Sequence, residues 1–114
     1  MRPSQEALDL LHAIAGELQE DGPLTVGTMF RSPGLRTGSK IVAFLGSGDY
    51  LIVKLPMVRA RELIAAGAAT PVTMGKRTMR EWIEVPAAAD PAATARQWTE
   101  LTREALEYVR SLPD

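Results

Sequence analysis

The chain has 114 residues, with 13 lysines and arginines against 14 acidic residues, one histidine and no cysteine, so its net charge is −1. This length predicts a single domain over residues 1–114, and the lack of cysteine excludes disulfides, thiolate chemistry and cysteine-ligated zinc and favours a reducing, cytoplasmic compartment. No apolar run approaches the roughly 20 residues that span a bilayer, so we expect no contact with a membrane.

A helix followed by three strands is predicted in the first half of the chain. Apolar residues recur at three- and four-residue spacing over residues 7–18, after the N-cap residue Ser4, and Asp-Gly-Pro at residues 21–23 ends this helix. Runs rich in β-branched and other apolar residues then predict strands, which cover residues 24–30, 40–45 and 50–55.

The segments between these strands predict one connector and one tight turn. Gly-Ser-Gly-Asp at residues 46–49 is typical of a hairpin turn. Residues 31–40 are interpreted as a flexible connector. A phosphate-binding loop is rejected there because three residues, rather than four, separate Gly34 from Gly38, and because a strand follows instead of a helix.

The second half of the chain predicts a helix, two strands and a final helix. The helix covers residues 57–66 and stops at Gly67. The two strands cover residues 70–74 and 80–85, with a basic turn at residues 75–77 between them. Asp90-Pro91 is typical of a helix start, and the apolar stripe of the final helix runs to Leu112.

This order, α-β-β-β-α-β-β-α, predicts an α+β fold. Antiparallel strands that are segregated from helices favour a two-layer sandwich in which the helices cover one face of the sheet and the other face stays at least partly open.

Positive charge is concentrated in the middle of the chain. Residues 31–80 hold nine of the thirteen basic residues and only two acids, so this basic block carries +7. The block predicts contacts with an anion or a nucleic acid. The candidate contacts are Arg31, Arg36, Lys40, Lys76 and Arg77. The alternative is that acids of the flanking helices neutralise the block internally; the candidates are Glu17, Glu20, Glu100 and Glu104.

The open face of the sheet is predicted to carry an interaction surface. Successive side chains of a strand point to opposite faces, so if Ile83 and Val85 pack under the helices, other side chains must point outward. These are Arg80, Trp82 and Glu84, joined by Lys54 from the neighbouring strand. A tryptophan among cations suits stacking, a cation–π contact or a contact between subunits. The alternative is that Trp82 is buried under a loop or the last helix.

Neither catalysis nor a bound cofactor is predicted. The single histidine, His12, has no serine partner suggested near it. The acidic residues show no calcium-loop spacing, so we expect no metal site. Glu81 and Glu84 are three residues apart on a strand and face opposite sides, which prevents them from acting as an acid–base pair. We expect a protein that is not an enzyme.

Several segments together resemble a known family. They are Met29-Phe30, Gly34-Leu35, Gly38-x-Lys40, LIVKLP at 51–56, Ala66-Gly67, GKRTMREW at 75–82 and ALEYVRSLP at 105–113. In this order and spacing they resemble the N-terminal domain of TfoX/Sxy-type competence regulators and, more distantly, MmcQ/YjbR-like proteins. The chain departs from the family pattern with Arg31-Ser32 in place of a glycine pair and with Thr78 where proline is common.

The resemblance implies the same two-layer α+β fold and a regulatory role. Together with the lack of catalytic equipment, it leads us to expect a regulatory or protein-interaction module whose partner is another protein or a second copy of the chain. The alternative is weak, sequence-nonspecific binding of nucleic acid or an anionic ligand through the basic block.

Overall fold

A computed structural model describes residues 4–29, 32–46, 49–74 and 77–113, of which residues 29, 74 and 77–80 are described by their backbone alone. In this part of the chain the helices are α1 (Gln5–Glu17), α2 (Met57–Ala65) and α3 (Pro91–Ser111). The strands are β1 (Thr25–Met29), β2 (Ser32–Thr37), β3 (Lys40–Gly46), β4 (Tyr50–Lys54), β5 (Thr70–Met74) and β6 (Arg77–Pro86).

The strands form one antiparallel sheet in the order β1-β2-β3-β4-β6-β5. The predicted α+β class with an antiparallel sheet is confirmed. Within the described residues no helix is both long and apolar enough to cross a membrane.

The predicted connector over residues 31–40 was wrong, because most of it forms strand β2. This strand lies between β1 and β3 and pairs with both, so its backbone groups are satisfied on two sides although its sequence is rich in Ser, Pro and Gly. Gly34 and Leu35 are buried there. The sheet therefore has four strands before α2 rather than three, and Gly38, with a φ of 62°, sits in the tight turn to β3.

Side chains of the helices and of one sheet face form the main core. Two of the helices begin at a side-chain cap: the Ser4 hydroxyl accepts from the Ala7 amide at the start of α1, and the Asp90 carboxylate accepts from the Ala92 amide at the start of α3. The largest fully buried side chains of this core are Trp98, Leu11, Ile14, Leu18, Leu35, Leu45, Leu51, Leu55, Ile83 and Leu106. Since Ala60 of α2 belongs to the same core, side chains from all three described helices pack on one face of the sheet.

An irregularity in β3 decides which of its side chains face the helices. Leu35 pairs with Ala43, but the next residue, Arg36, pairs with Ile41, so β3 carries one extra residue at Val42. Val42 and Ala43 both lie in the main core. Ile41 consequently belongs to the opposite face of the sheet together with residue 44.

Candidate interaction face

The sheet face directed away from the helices carries its own apolar cluster, which we call the outer cluster. Phe44, Ile52 and Val72 are its buried members, and Ile41 and Trp82 are partly buried against them. The ring centroids of Phe44 and Trp82 are 5.6 Å apart with an angle of 58° between the planes, a tilted geometry favourable for aromatic pairs. The outer cluster draws residues from β3, β4, β5 and β6.

The alternation of side chains between the two sheet faces along β4 and β6 determines which face carries the predicted surface residues. Ile83 and Val85 are fully buried in the main core, so their neighbours Trp82 and Glu84 face outward. Lys54 lies directly opposite Trp82 across the two strands, and Ile52 lies opposite Glu84. Three of the four predicted surface residues thus share one face; the side chain of the fourth, Arg80, lies outside the described residues.

Lys54 and Trp82 are in direct contact. The Lys54 Nζ lies 5.8 Å from the centroid of the Trp82 ring, within the range of a cation–π interaction. Trp82 is partly exposed and belongs to the outer cluster, not to the main core under the last helix. The outer face therefore presents an aromatic surface with a cation held over it.

Arg36 adds a second cation to this face. It pairs with Ile41 of the outer cluster, and its neighbour across the sheet on the other side is Thr25 of β1. A Cβ atom on Gly27 would stand 3.0 Å from a terminal guanidinium nitrogen of Arg36, so the absence of a side chain at Gly27 lets Arg36 lie across the edge strand.

Of the other predicted anion contacts, only the side chain of Lys40 lies within the described residues. Arg31 and Lys76 lie outside the described residues, as does the side chain of Arg77. Lys40, the first residue of β3, donates through Nζ to the main-chain carbonyl of Leu112 and so ties the end of α3 to the sheet. Of the five candidates, the described side chains are therefore those of Arg36, on the outer face, and Lys40, tied to the end of α3.

Part of the basic block is neutralised by a flanking helix. Arg59 of α2 donates to both carboxylate oxygens of Glu104, at 2.9 and 3.2 Å, and its guanidinium is 3.5 Å from Glu62. The hydrogen bond to Glu104 raises the pKa of Arg59 above its ordinary value. Glu100, another predicted partner of the block, instead pairs with Arg103 of its own helix.

Tyr108 and Glu81 form a polar contact on the helix side of the sheet. Glu81 lies two residues before the core residue Ile83 on β6, so both side chains point to the face that carries α3. There the Tyr108 hydroxyl donates a hydrogen bond to the Glu81 carboxylate. This hydrogen bond raises the pKa of Tyr108, and burial and the nearby carboxylate charge add to the effect. Glu84 faces the opposite side of the sheet, as its pairing with Ile52 indicates.

A cleft adjoins the outer face where the sheet meets the C-terminal end of α3. It has a volume of about 540 Å³. Its lining includes Ser39, Lys40, Lys54, Trp82, Val109 and Leu112. Among the described residues no group of three or more His, Cys, Asp or Glu side chains is arranged to hold a metal ion, there or elsewhere.

Sequence reasoning missed the apolar members of the outer face and the cleft. The uninterrupted apolar run over residues 41–45 was the available signal, since a strand that is apolar at successive positions packs on both faces. The cleft had no such signal. Its walls come from residues about seventy positions apart, which only the packing of α3 brings together.

No family model, curated protein or solved structure matches this chain.

Proposed function

We propose that this protein is a non-enzymatic regulatory module of the cytoplasm, similar to the N-terminal domain of TfoX/Sxy-type regulators, and that it self-associates through the outer face of its sheet. The observation that carries the proposal is the outer cluster: Phe44, Ile52 and Val72 pack with Trp82 on the face opposite the described helices. The lack of cysteine supports the compartment.

Exposed apolar groups on this face supply a reason to associate. Tyr50 is 38% exposed and lies two residues before Ile52, so both side chains point outward. Trp82 is also partly exposed. Large aromatic side chains with a polar edge are the residues that most often carry binding energy at protein interfaces.

The charges of the outer face favour a second copy as the partner. Lys54 and Glu84 have opposite charges and project from neighbouring strands of the same face. In a two-fold symmetric contact each subunit presents the same surface, so Lys54 of one copy can meet Glu84 of the other twice. A surface that carries both signs in this way is complementary to itself.

The test is the mass of the protein in solution, measured by sedimentation over a range of concentrations. We expect a dimer for the unmodified chain, and a dissociation constant at least about tenfold higher for Trp82→Ala, because a central aromatic anchor is lost. The reversals Lys54→Glu and Glu84→Lys should each weaken the dimer, and the double variant should restore it. Val58, a 69% exposed apolar residue of α2, provides the matched control Val58→Ala, which should leave the mass unchanged.

A monomer at all concentrations would contradict the proposal, as would charge reversals that leave the dimer intact. Circular dichroism of each variant separates loss of association from loss of folding. Should Trp82→Ala unfold the domain, the charge variants still decide the question, since both residues are at the surface of strands rather than in the main core.

Nucleic-acid binding is the second candidate, and the two cations of the outer face favour it. Arg36 and Lys54 lie on the same face as Trp82, and a sheet with aromatic and cationic side chains suits a stacked single strand. Titration with single-stranded and duplex DNA at low and physiological salt tests this. Binding that weakens with salt and with Arg36→Glu would support it; no binding at low salt would reject it.

A further inference from the structure

We infer that the cleft between the β2–β3 turn and the end of α3 is a binding site for a small organic anion, namely a carboxylate attached to an apolar or aromatic body. This inference does not rest on the proposed self-association, because it concerns the cleft of the single chain. The volume of about 540 Å³ lies within the ordinary range of small-molecule sites.

The charge of the lining selects an anion. Two lysines, Lys40 and Lys54, contribute to the walls, and the described residues that line the cleft include no acidic side chain. An ammonium group at the edge of an apolar cleft forms stronger hydrogen bonds to a carboxylate than to a neutral acceptor. The Ser39 hydroxyl also lines the cleft and suits the same oxygen atoms.

The apolar part of the lining selects the body of the ligand. Trp82 contributes an aromatic surface, and Ile41, Val109, Leu112 and Pro113 contribute aliphatic surface. Phosphate or sulfate has no group to place against these side chains. A carboxylate attached to a ring or a short alkyl chain can contact both the cationic and the apolar residues of the lining.

The end of α3 would ordinarily repel an anion, since the free carbonyl groups of a helix C-terminus carry partial negative charge. Here the Leu112 carbonyl accepts a hydrogen bond from Lys40 Nζ, so a positive charge offsets the helix end beside the cleft that both residues line. Lys54, held over Trp82, brings the second cation next to the aromatic wall. Lys40 thus offsets the charge of the helix end, and Lys54 is the cation that attracts the ligand.

The experiment is a titration of the ¹⁵N-labelled protein with benzoate, followed by nuclear magnetic resonance of the two indole N–H groups. Trp82 lines the cleft, whereas Trp98 is 1% exposed and is not among the residues that line it, so its signal provides the comparison. The variant Trp82→Phe assigns the signals. We expect the Trp82 signal to shift with a dissociation constant of about 1 mM, as suits a ligand of this size.

Matched probes and variants separate charge from apolar contact. Benzamide has the same ring without the charge, and inorganic phosphate has charge without the ring; each should bind at least about tenfold more weakly than benzoate. Lys54→Gln should weaken benzoate binding by a similar factor. Arg61→Gln removes one charge from the exposed surface of α2 and should leave binding unchanged.

An unmoved Trp82 signal at 50 mM benzoate in the Glu84→Lys variant, where no second copy covers Lys54 and Trp82, would overturn the inference. Equal binding of benzamide or full binding by Lys54→Gln would overturn it as well. Glu84→Lys changes the outer face without changing a residue of the cleft lining. If that variant is monomeric and still binds benzoate, the cleft is independent of self-association. Failure of the dimer and failure of the ligand site are therefore separate results.

Discussion

Lys54 and Trp82 are directly opposed on adjacent antiparallel strands, with the Lys54 Nζ 5.8 Å from the centre of the indole ring. The same pair borders both the outer cluster and the cleft at the end of α3. A flexible lysine is thereby restrained beside an aromatic surface. Both proposals for this protein involve these two residues.

The strength of this pair is measurable by a double-mutant cycle. With Lys54→Met and Trp82→Leu, alone and combined, we expect a coupling of about 0.5–1 kcal/mol in the free energy of unfolding, as for a partly exposed cation–π contact. Urea denaturation gives the four free energies. Additive effects would show that Lys54 merely lies near the ring.

A substitution in the main core should lower the free energy of unfolding far more than a substitution on the surface. Leu51 is fully buried between the sheet and the helices, so Leu51→Ala should lower the free energy of unfolding by about 2–5 kcal/mol through lost apolar contact and the cavity that remains. Val58→Ala, at a 69% exposed position, should change it by less than about 0.5 kcal/mol. Chemical denaturation of the two variants side by side provides the comparison; equal losses would contradict the placement of Leu51.

Substitution by alanine should change the stability of the protein in opposite directions at two glycines. Gly67, with a φ of 77°, follows the end of α2 in the left-handed region, so Gly67→Ala should destabilise the protein by about 1 kcal/mol. Gly16 lies within α1, and a Cβ there would meet nothing within 4 Å, so Gly16→Ala should stabilise it by about 0.5–1 kcal/mol. Thermal and urea unfolding of both variants test the signs, and the same sign for both would contradict one of the two backbone assignments.

The Tyr108–Glu81 contact predicts a loss of stability in alkaline solution. The hydrogen bond to Glu81, with burial and the carboxylate charge, raises the pKa of Tyr108 above its ordinary value of 10.0. The folded protein therefore holds the phenol proton more tightly than the unfolded chain does, so this stabilisation is full below the unfolded pKa and is lost as pH rises through the folded pKa.

The measurement compares unmodified protein with Tyr108→Phe by urea unfolding at pH 8 and pH 11. The unmodified protein should be the more stable at pH 8, and its advantage should shrink at pH 11. The two proteins differ only in this hydroxyl group, so the contributions of all other groups cancel in the comparison. A difference in stability that does not depend on pH would show that the Tyr108 hydroxyl stabilises the protein without a hydrogen bond to Glu81.

Local rules were sufficient for much of the fold. The three- and four-residue spacing of apolar residues located α1 and α3. The two-residue period of β6 placed Trp82 and Glu84 on the sheet face that does not carry Ile83. Each of these inferences depends only on side-chain direction within one element, which neighbouring residues determine. The sharing of a face by Lys54 and Trp82 needed one further assumption, that their strands are neighbours, and β4 does pair with β6.

Pairing between distant segments decided the rest. The Ser- and Gly-containing segment at residues 32–37 becomes a strand because β1 and β3 offer hydrogen bonds on both sides, a condition that its own composition does not express. The extra residue at Val42 turns Ile41 to the outer face, and the packing of α3 brings Leu112 against Lys40. By itself the sequence determined most of the elements and the direction of the side chains within them, whereas strand β2, the outer cluster and the cleft exist only because the folded sheet and α3 bring residues from separate parts of the chain into contact.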